Sequence, residues 1–477
     1  MTRAMNSQKW ALFLKINLGV FVLIVLQGCN SSQKQDREHL VFKYNEHSNI
    51  ATLDPAFARN PQTIWPSNQL FNGLVQLDDQ LNIQPDIAKS WHINDSTYTY
   101  TFTLRNDVYF HKNKVFKKDS TRSVVAQDFV YSFDRLLSPE LASPGSWVFN
   151  AVQRYHAAND STLVIQLNKP FPAFLGLLSM RYCSVVPKEA IAYYGNDFRS
   201  NPVGTGPFRF KFWEENVKLV LRKNPIYFEK DTQGNRLPYL EAVAITFLPD
   251  KQSEFLQFAQ GNIDFMTGLD NSYKDEIITT KGTLQPKYKD RVQLITTPYL
   301  NTEYLGFFMG STTKEIASPL IRQAINYGFD RKKMVTYLRN GMGIAATHGF
   351  IPKGLAGFDS IQGYSYNPEK ARALINTYKQ TTGATSIQVT IGTNSQYLDL
   401  CEYIQRELEK LGISIKIDVM PPATLRQLKS SGELDIFRAS WVADYPDAEN
   451  YLSLFYSPNF TPNGPNYTHF KNEVFDS

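Results

Sequence analysis

The chain opens with basic positions, Arg3, Lys9 and Lys15, ahead of an uncharged apolar run over residues 18–26 (LGVFVLIVL). A basic start, a short apolar core and a small residue before Cys29 form the pattern of a secretory signal. About nine apolar residues are too few to span a bilayer, which needs roughly 20. Residues 30–38 (NSSQKQDRE) are polar and read as a flexible tether. Alternating or β-branched runs then predict strands at 40–44, 98–104 and 162–167. Between the last two, residues 126–137 place Phe129, Val130, Phe133, Leu136 and Leu137 on one helical face, and Ser138-Pro139 ends it. Gly204-Thr205-Gly206-Pro207 is a turn signal, and 208–212 with 218–221 read as a hairpin.

The second half changes period. Strands are predicted at 243–248, 263–266, 387–391, 413–419 and 434–441, with helices at 251–260, 398–411 and 423–430 between them. Short helical crossovers between strands predict a parallel α/β layer. Ligands of such sheets sit outside the strand C-termini. The last strand ends at Trp441, just before Asp444, Tyr445 and Asp447. An aromatic side chain and two carboxylates therefore emerge where a ligand is expected.

Charge changes the picture little. The chain has 477 residues, with 50 Lys+Arg against 45 Asp+Glu. The pI of 8.7 owes much to the leader, so it is poor evidence for nucleic-acid binding, and none is expected. Beyond Cys29 only Cys183 and Cys401 remain, far apart in sequence, and both are read as buried free thiols. Aromatic residues make up 13% of the chain, a surplus that can line a cleft as well as a core. No nucleophile elbow, zinc-helix motif or phosphate-binding loop is present, and the seven histidines are scattered. No enzyme activity, metal or cofactor is expected.

Several collinear segments carry a resemblance. Residues 68–74 (NQLFNGL), 85–91 (PDIAKSW), 100–111 (YTFTLRNDVYFH), 125–133 (VAQDFVYSF), 202–208 (PVGTGPF) with 221–228 (LRKNPIYF), 322–331 (RQAINYGFDR) and 441–445 (WVADY) resemble the signature of family 5 solute-binding proteins. These are the oligopeptide-, dipeptide- and nickel-binding receptors of ABC importers. The match runs from about residue 40 to the end. The leader end, LQGC at 26–29, resembles the bacterial lipobox, in which the cysteine is lipidated.

The resemblance implies an α/β, two-lobe periplasmic-binding-protein-like fold (class II, cluster C type) with an extra subdomain in lobe 1. Expected boundaries are a signal peptide at 1–28, a lipid tether at 29–37, lobe 1 at 38–297 with an inserted subdomain at about 55–200, and lobe 2 at 298–477. Residues 298–308 are expected to cross between lobes, and closure around solute would be a hinge motion. Two departures stand out. Residues 112–123 (KNKVFKKDSTRS) form a longer, basic loop. Relatives also continue past the last residue through a helix and a strand returning to lobe 1, so the chain is expected to be truncated.

The implied function is capture of short peptides by a monomeric receptor held to the bilayer by an acyl chain on Cys29, on the periplasmic or extracellular face. It would deliver them to an ABC permease. In peptide-binding relatives the aspartate of a W-x-x-D motif takes the peptide α-ammonium. Here that is Asp444, with Trp441 and Tyr445 as wall. A cation buried on closure needs a paired carboxylate, and aromatic faces help further. Trp147 and the loop at 60–65 are weaker candidates for the cleft. Asp444 could instead cap local backbone, and Trp441 could be plain core. Alternative readings are the same fold binding a nickel chelate, haem or an oligosaccharide, a peptide-sensing receptor, and an exported hydrolase.

Overall fold

The computed structural model describes residues 40–117, 120–270 and 273–477. The leader, Cys29 and the tether lie outside the described residues. The chain divides into two compact units, with the division between Gly268 and Leu269.

Among the described residues, unit 1 carries ten strands: β1 (Val41–Glu46), β2 (Val75–Leu77), β3 (Ile83–Pro85), β4 (Ala88–Asn94), β5 (Thr99–Leu104), β6 (Val152–Asn159), β7 (Thr162–Leu167), β8 (Phe208–Glu214), β9 (Lys218–Lys223) and β10 (Ala242–Phe247). One sheet has the order β1-β10-β9-β8, with β1 parallel to β10 and the rest antiparallel. The chain leaves this sheet after β1 and returns at β8. The segment between builds an antiparallel sheet β4-β5-β7-β6 and the β2-β3 pair. Strict alternation in β5 and β7 puts Tyr100, Phe102, Leu163 and Ile165 in the core. Helix α1 (Ala126–Leu137) covers that sheet. Phe129, Phe133 and Leu136 are buried, whereas Leu137 at its end is exposed.

Two local expectations change. Gly204 and Gly206 do not make a hairpin turn; the turn between β8 and β9 lies at residues 215–217. They instead press against the end of helix Pro61–Leu70, where a Cβ on Gly204 would stand 2.0 Å from the Leu70 carbonyl oxygen. The glycines are required by backbone approach, which looks the same in sequence as a turn. The stretch 263–266 makes only an isolated bridge, Tyr44 to Phe265. In the basic loop at 112–123, Phe116 is buried beside Phe110, and Arg122 pairs with Asp128 at 2.7 Å and Glu189 at 2.8 Å.

Unit 2 holds one sheet of β11 (Asn301–Phe307), β12 (Gln388–Thr393), β13 (Ser414–Val419) and β14 (Ile436–Val442), in the order β11-β14-β12-β13. β12 runs parallel to both β13 and β14, as the crossover helices dictate, and β11 closes the edge antiparallel to β14. Helices Pro319–Tyr327, Pro368–Thr382 and Leu398–Glu409 bury Ile321, Ile325, Ile375, Ile404 and Leu408 with Val389, Ile391, Ile415 and Ile436. On the other face Leu425 and Leu434 pack with Phe437 and Ala439. β14 is therefore buried on both faces, which explains its nearly continuous apolar run. Cys183 and Cys401 are both buried and unpaired. No helix among the described residues is long and apolar enough to cross a membrane.

Candidate functional site

The site grows from the C-terminal end of β14. Apolar residues hold Ile436, Phe437 and Ala439 inside the sheet. The register pairs Trp441 with Thr302 and Val442 with Asn301 on β11. One residue further, the Ala443 N–H donates to the Leu300 carbonyl at 3.0 Å, and pairing stops. Asp447 then accepts the Glu449 N–H at 2.8 Å and starts the one-turn helix Glu449–Leu452.

That helix supplies the residue that organises the site. Asn450 is 3% exposed. Its Oδ1 accepts the Trp441 Nε1–H at 2.8 Å and the Asp444 backbone N–H at 3.1 Å. One buried amide oxygen thus fixes both the indole and the loop bearing Asp444. Tyr445 is buried and its hydroxyl bonds Glu449; the fully buried Tyr451 bonds the Leu300 carbonyl through its own hydroxyl.

Asp444 itself is exposed in accessible area. Even so, burial by surrounding protein raises its carboxyl above the ordinary value, with the Asn450 side chain opposing the shift. Both hold for a group that solvent can touch but that sits in a recess. Among the described residues no cationic side chain pairs with it. An anionic group in a recess without a cation is suited to receive one from a ligand. Trp441 is half-buried, with its indole N–H already committed, so its ring is what remains to offer.

Three residues before Trp441 on the same strand stands Arg438, 8% exposed. It pairs with Glu303, its guanidinium carbon lies 3.0 Å from the centroid of the Tyr397 ring, and its Nε has no hydrogen-bond partner. Burial pulls its pKa down to about 9, which leaves it charged at neutral pH. Sequence reasoning missed Arg438 and Asn450. A lone charge inside the run Ile436–Ala439 was a usable signal for the arginine. Nothing in the sequence marks Asn450.

Trp441, Asp444 and Tyr445 therefore lie together in unit 2. Trp147 lies in unit 1, 37% exposed, on the short turn Ser146–Phe149, ahead of the buried Val148 and Phe149. The supposed loop at 60–65 is instead the start of helix Pro61–Leu70. The Asn60 side chain caps it by accepting the Thr63 N–H at 3.2 Å, and Pro61 fits the first turn. No cluster of metal-ligating side chains exists among the described residues.

An α/β architecture of two units, with a carboxylate bonded only by a neutral amide and an aromatic at a strand C-terminus, suits the binding of a small solute. The family model for bacterial extracellular solute-binding proteins, family 5, matches residues 82–463, and the chain belongs to that family. It is 24% identical over 436 residues to the glutathione-binding protein GsiB of Salmonella choleraesuis, covering 90% of this chain and 80% of that protein. It is 28% identical over 432 residues to heme-binding protein A of Haemophilus influenzae, covering 86% of this chain and 75% of that one. Its fold matches the ABC transporter-associated periplasmic binding protein DppA from Helicobacter pylori, solved with peptide STSA. The TM-score is 0.71 at 25% identity, covering 91% of this chain and 85% of that chain. The two-lobe fold of the family is therefore the fold of this chain.

Proposed function

We propose that this protein captures short peptides outside the cytoplasm and hands them to the permease of an ABC importer, held to the membrane by an acyl chain on Cys29. Asp444 carries the reading. Its carboxylate is reachable, partly desolvated, without a cation, and flanked by Trp441 and Tyr445. A peptide α-ammonium supplies the missing charge, and Trp441 adds an aromatic face. Arg438, with an uncommitted Nε–H, offers the opposite charge for a ligand carboxylate. Relatives named for glutathione and solved with a peptide make a short peptide the ligand class of choice.

The haem-binding relative favours a second reading, binding of haem on the same scaffold. Native mass spectrometry of the purified protein, followed by calorimetric titration with glutathione and a set of di- to tetrapeptides, tests the first. Haem titration followed by its absorption band tests the second. Saturable peptide binding without haem binding is expected. Haem binding without peptide binding would replace the reading.

A further inference from the structure

The helix Pro319–Tyr327 of unit 2 has two faces. Ile321, Ala324 and Ile325 pack into the core and are buried. Pro319, Arg322, Gln323 and Asn326, spaced i, i+3, i+4 and i+7, share the other face. Together with Phe307 at the end of β11 and with Tyr364, that face lines an open pocket of about 200 Å³. This is room for roughly six or seven waters at about 30 Å³ each, and it falls below the roughly 300 Å³ at which pockets for drug-sized molecules begin. The pocket is not part of the Asp444 site. Phe307 pairs with Ile436, whereas Thr302 pairs with Trp441, so the two sites lie at opposite ends of the β11–β14 ladder. Five residues of strand put them about 17 Å apart.

The charge around the pocket is one-sided. Arg322 spends Nη1 on the Ile316 and Ala317 carbonyls, at 2.6 and 2.9 Å, at the end of the short helix Lys314–Ala317. These bonds fix the guanidinium and leave its Nε–H and Nη2–H edge without a partner among the described residues. Burial lowers the Arg322 pKa, and only Tyr364 opposes the shift. The Gln323 amide and the Tyr364 hydroxyl likewise make no hydrogen bond among the described residues. Two further cations stand behind the wall. Arg331 donates to the Asn326 carbonyl at 2.8 Å and to its Oδ1 at 3.0 Å, and burial takes its pKa only to about 10, so it stays charged at neutral pH. Lys370 donates to the Tyr327 hydroxyl at 2.8 Å, and the Tyr327 ring meets Tyr364 edge-on at 4.9 Å. The carboxylates nearby are turned elsewhere. Asp330 accepts the N–H groups of Lys332 and Lys333, and Glu315 acts on Tyr378. Among the described residues no ion pair joins Arg322, Arg331 or Lys370 to a carboxylate.

We propose that this pocket binds one phosphate-class oxyanion, either inorganic phosphate or the end of a phosphomonoester. The open edge of Arg322 presents two parallel N–H groups, which match two oxygens of a single anion. A phosphate held there keeps two further oxygens for the Gln323 amide and the Tyr364 hydroxyl. Acetate, held the same way, has no further oxygen. The unpaired charges of Arg331 and Lys370 favour the more highly charged anion as well. None of this depends on what Asp444 binds.

Calorimetric titration of the purified protein with inorganic phosphate, glycerol phosphate and acetate, at fixed ionic strength, tests the assignment. One saturable phosphate site is expected, with acetate weaker, and the tighter of inorganic phosphate and glycerol phosphate identifies the source of the group. Arg322→Gln should weaken phosphate binding roughly ten- to a hundredfold, the loss of a charge-assisted contact. If that variant fails to fold, because Arg322 also holds two carbonyls, Gln323→Glu keeps those bonds and places a negative charge in the pocket. It should abolish phosphate binding, with its thermal melt as the check on folding. Phosphate binding that is absent, that acetate equals, or that survives Gln323→Glu unchanged would overturn the proposal.

Discussion

Replacing Asp444 by alanine separates a ligand-binding carboxylate from one that merely satisfies local backbone. The loop is held through its backbone, because the Asp444 N–H donates to Asn450 Oδ1 at 3.1 Å, and the Asn450 side chain also bonds the Asp444 carboxyl. The carboxyl is also pushed up by burial, so its charged form is disfavoured in the free protein. A group with that shift lowers stability at neutral pH, and its removal should leave the melting temperature unchanged or slightly higher. Affinity should move the other way. An α-ammonium desolvated against Asp444 loses its only partner, and truncating one member of a buried charge pair costs about 2–5 kcal/mol. That corresponds to roughly 30- to several-thousand-fold in Kd. N-acetylating the peptide should damage binding to the native protein by a similar factor and add little in Asp444→Ala, because a direct pair is non-additive. In the native protein, affinity should fall as pH drops through the carboxyl's raised pKa, above the ordinary value of about 4. Calorimetric titration of both proteins with free and acetylated peptide gives the full cycle. Additive losses, or a variant that melts lower and binds normally, would refute the reasoning and make Asp444 a structural cap.

Asn450→Leu removes the acceptor of both the Trp441 indole and the Asp444 N–H; leaving these unpaired should cost about 1–3 kcal/mol of stability, read from denaturant unfolding, and weaken ligand binding as well. Gly204→Ala places a Cβ 2.0 Å from a backbone oxygen that cannot yield, so a loss of at least about 1–3 kcal/mol is expected in the same assay, although no ligand group is touched. Cys29→Ala should move the protein from the membrane fraction to the soluble fraction, since an acyl chain would supply its membrane affinity; fractionation identical to the native protein would remove the lipid anchor from the proposal.

Much of the architecture was legible because local patterning and tertiary burial agree. Helix α1 at 126–137 and the strands β5, β7, β12 and β13 follow from periodicity alone, since one face of each meets a core and the other does not. β14 was legible for a related reason: burial on both faces leaves an apolar run, and its end at Trp441 and Val442 put Asp444 where parallel sheets receive ligands. What sequence could not supply was pairing across long stretches of chain. The edge strand β11 and the parallel union of β1 with β10 depend on which strand lies alongside, and neither strand carries that information. The same limit hid the meaning of Gly204 and Gly206, which serve a helix end more than 130 residues earlier. It also hid Asn450, an ordinary polar residue until folding buries it between an indole and a backbone amide. Local periodicity records only which face of an element is apolar. Which elements meet, and which polar atoms must then find partners, is decided by long-range packing.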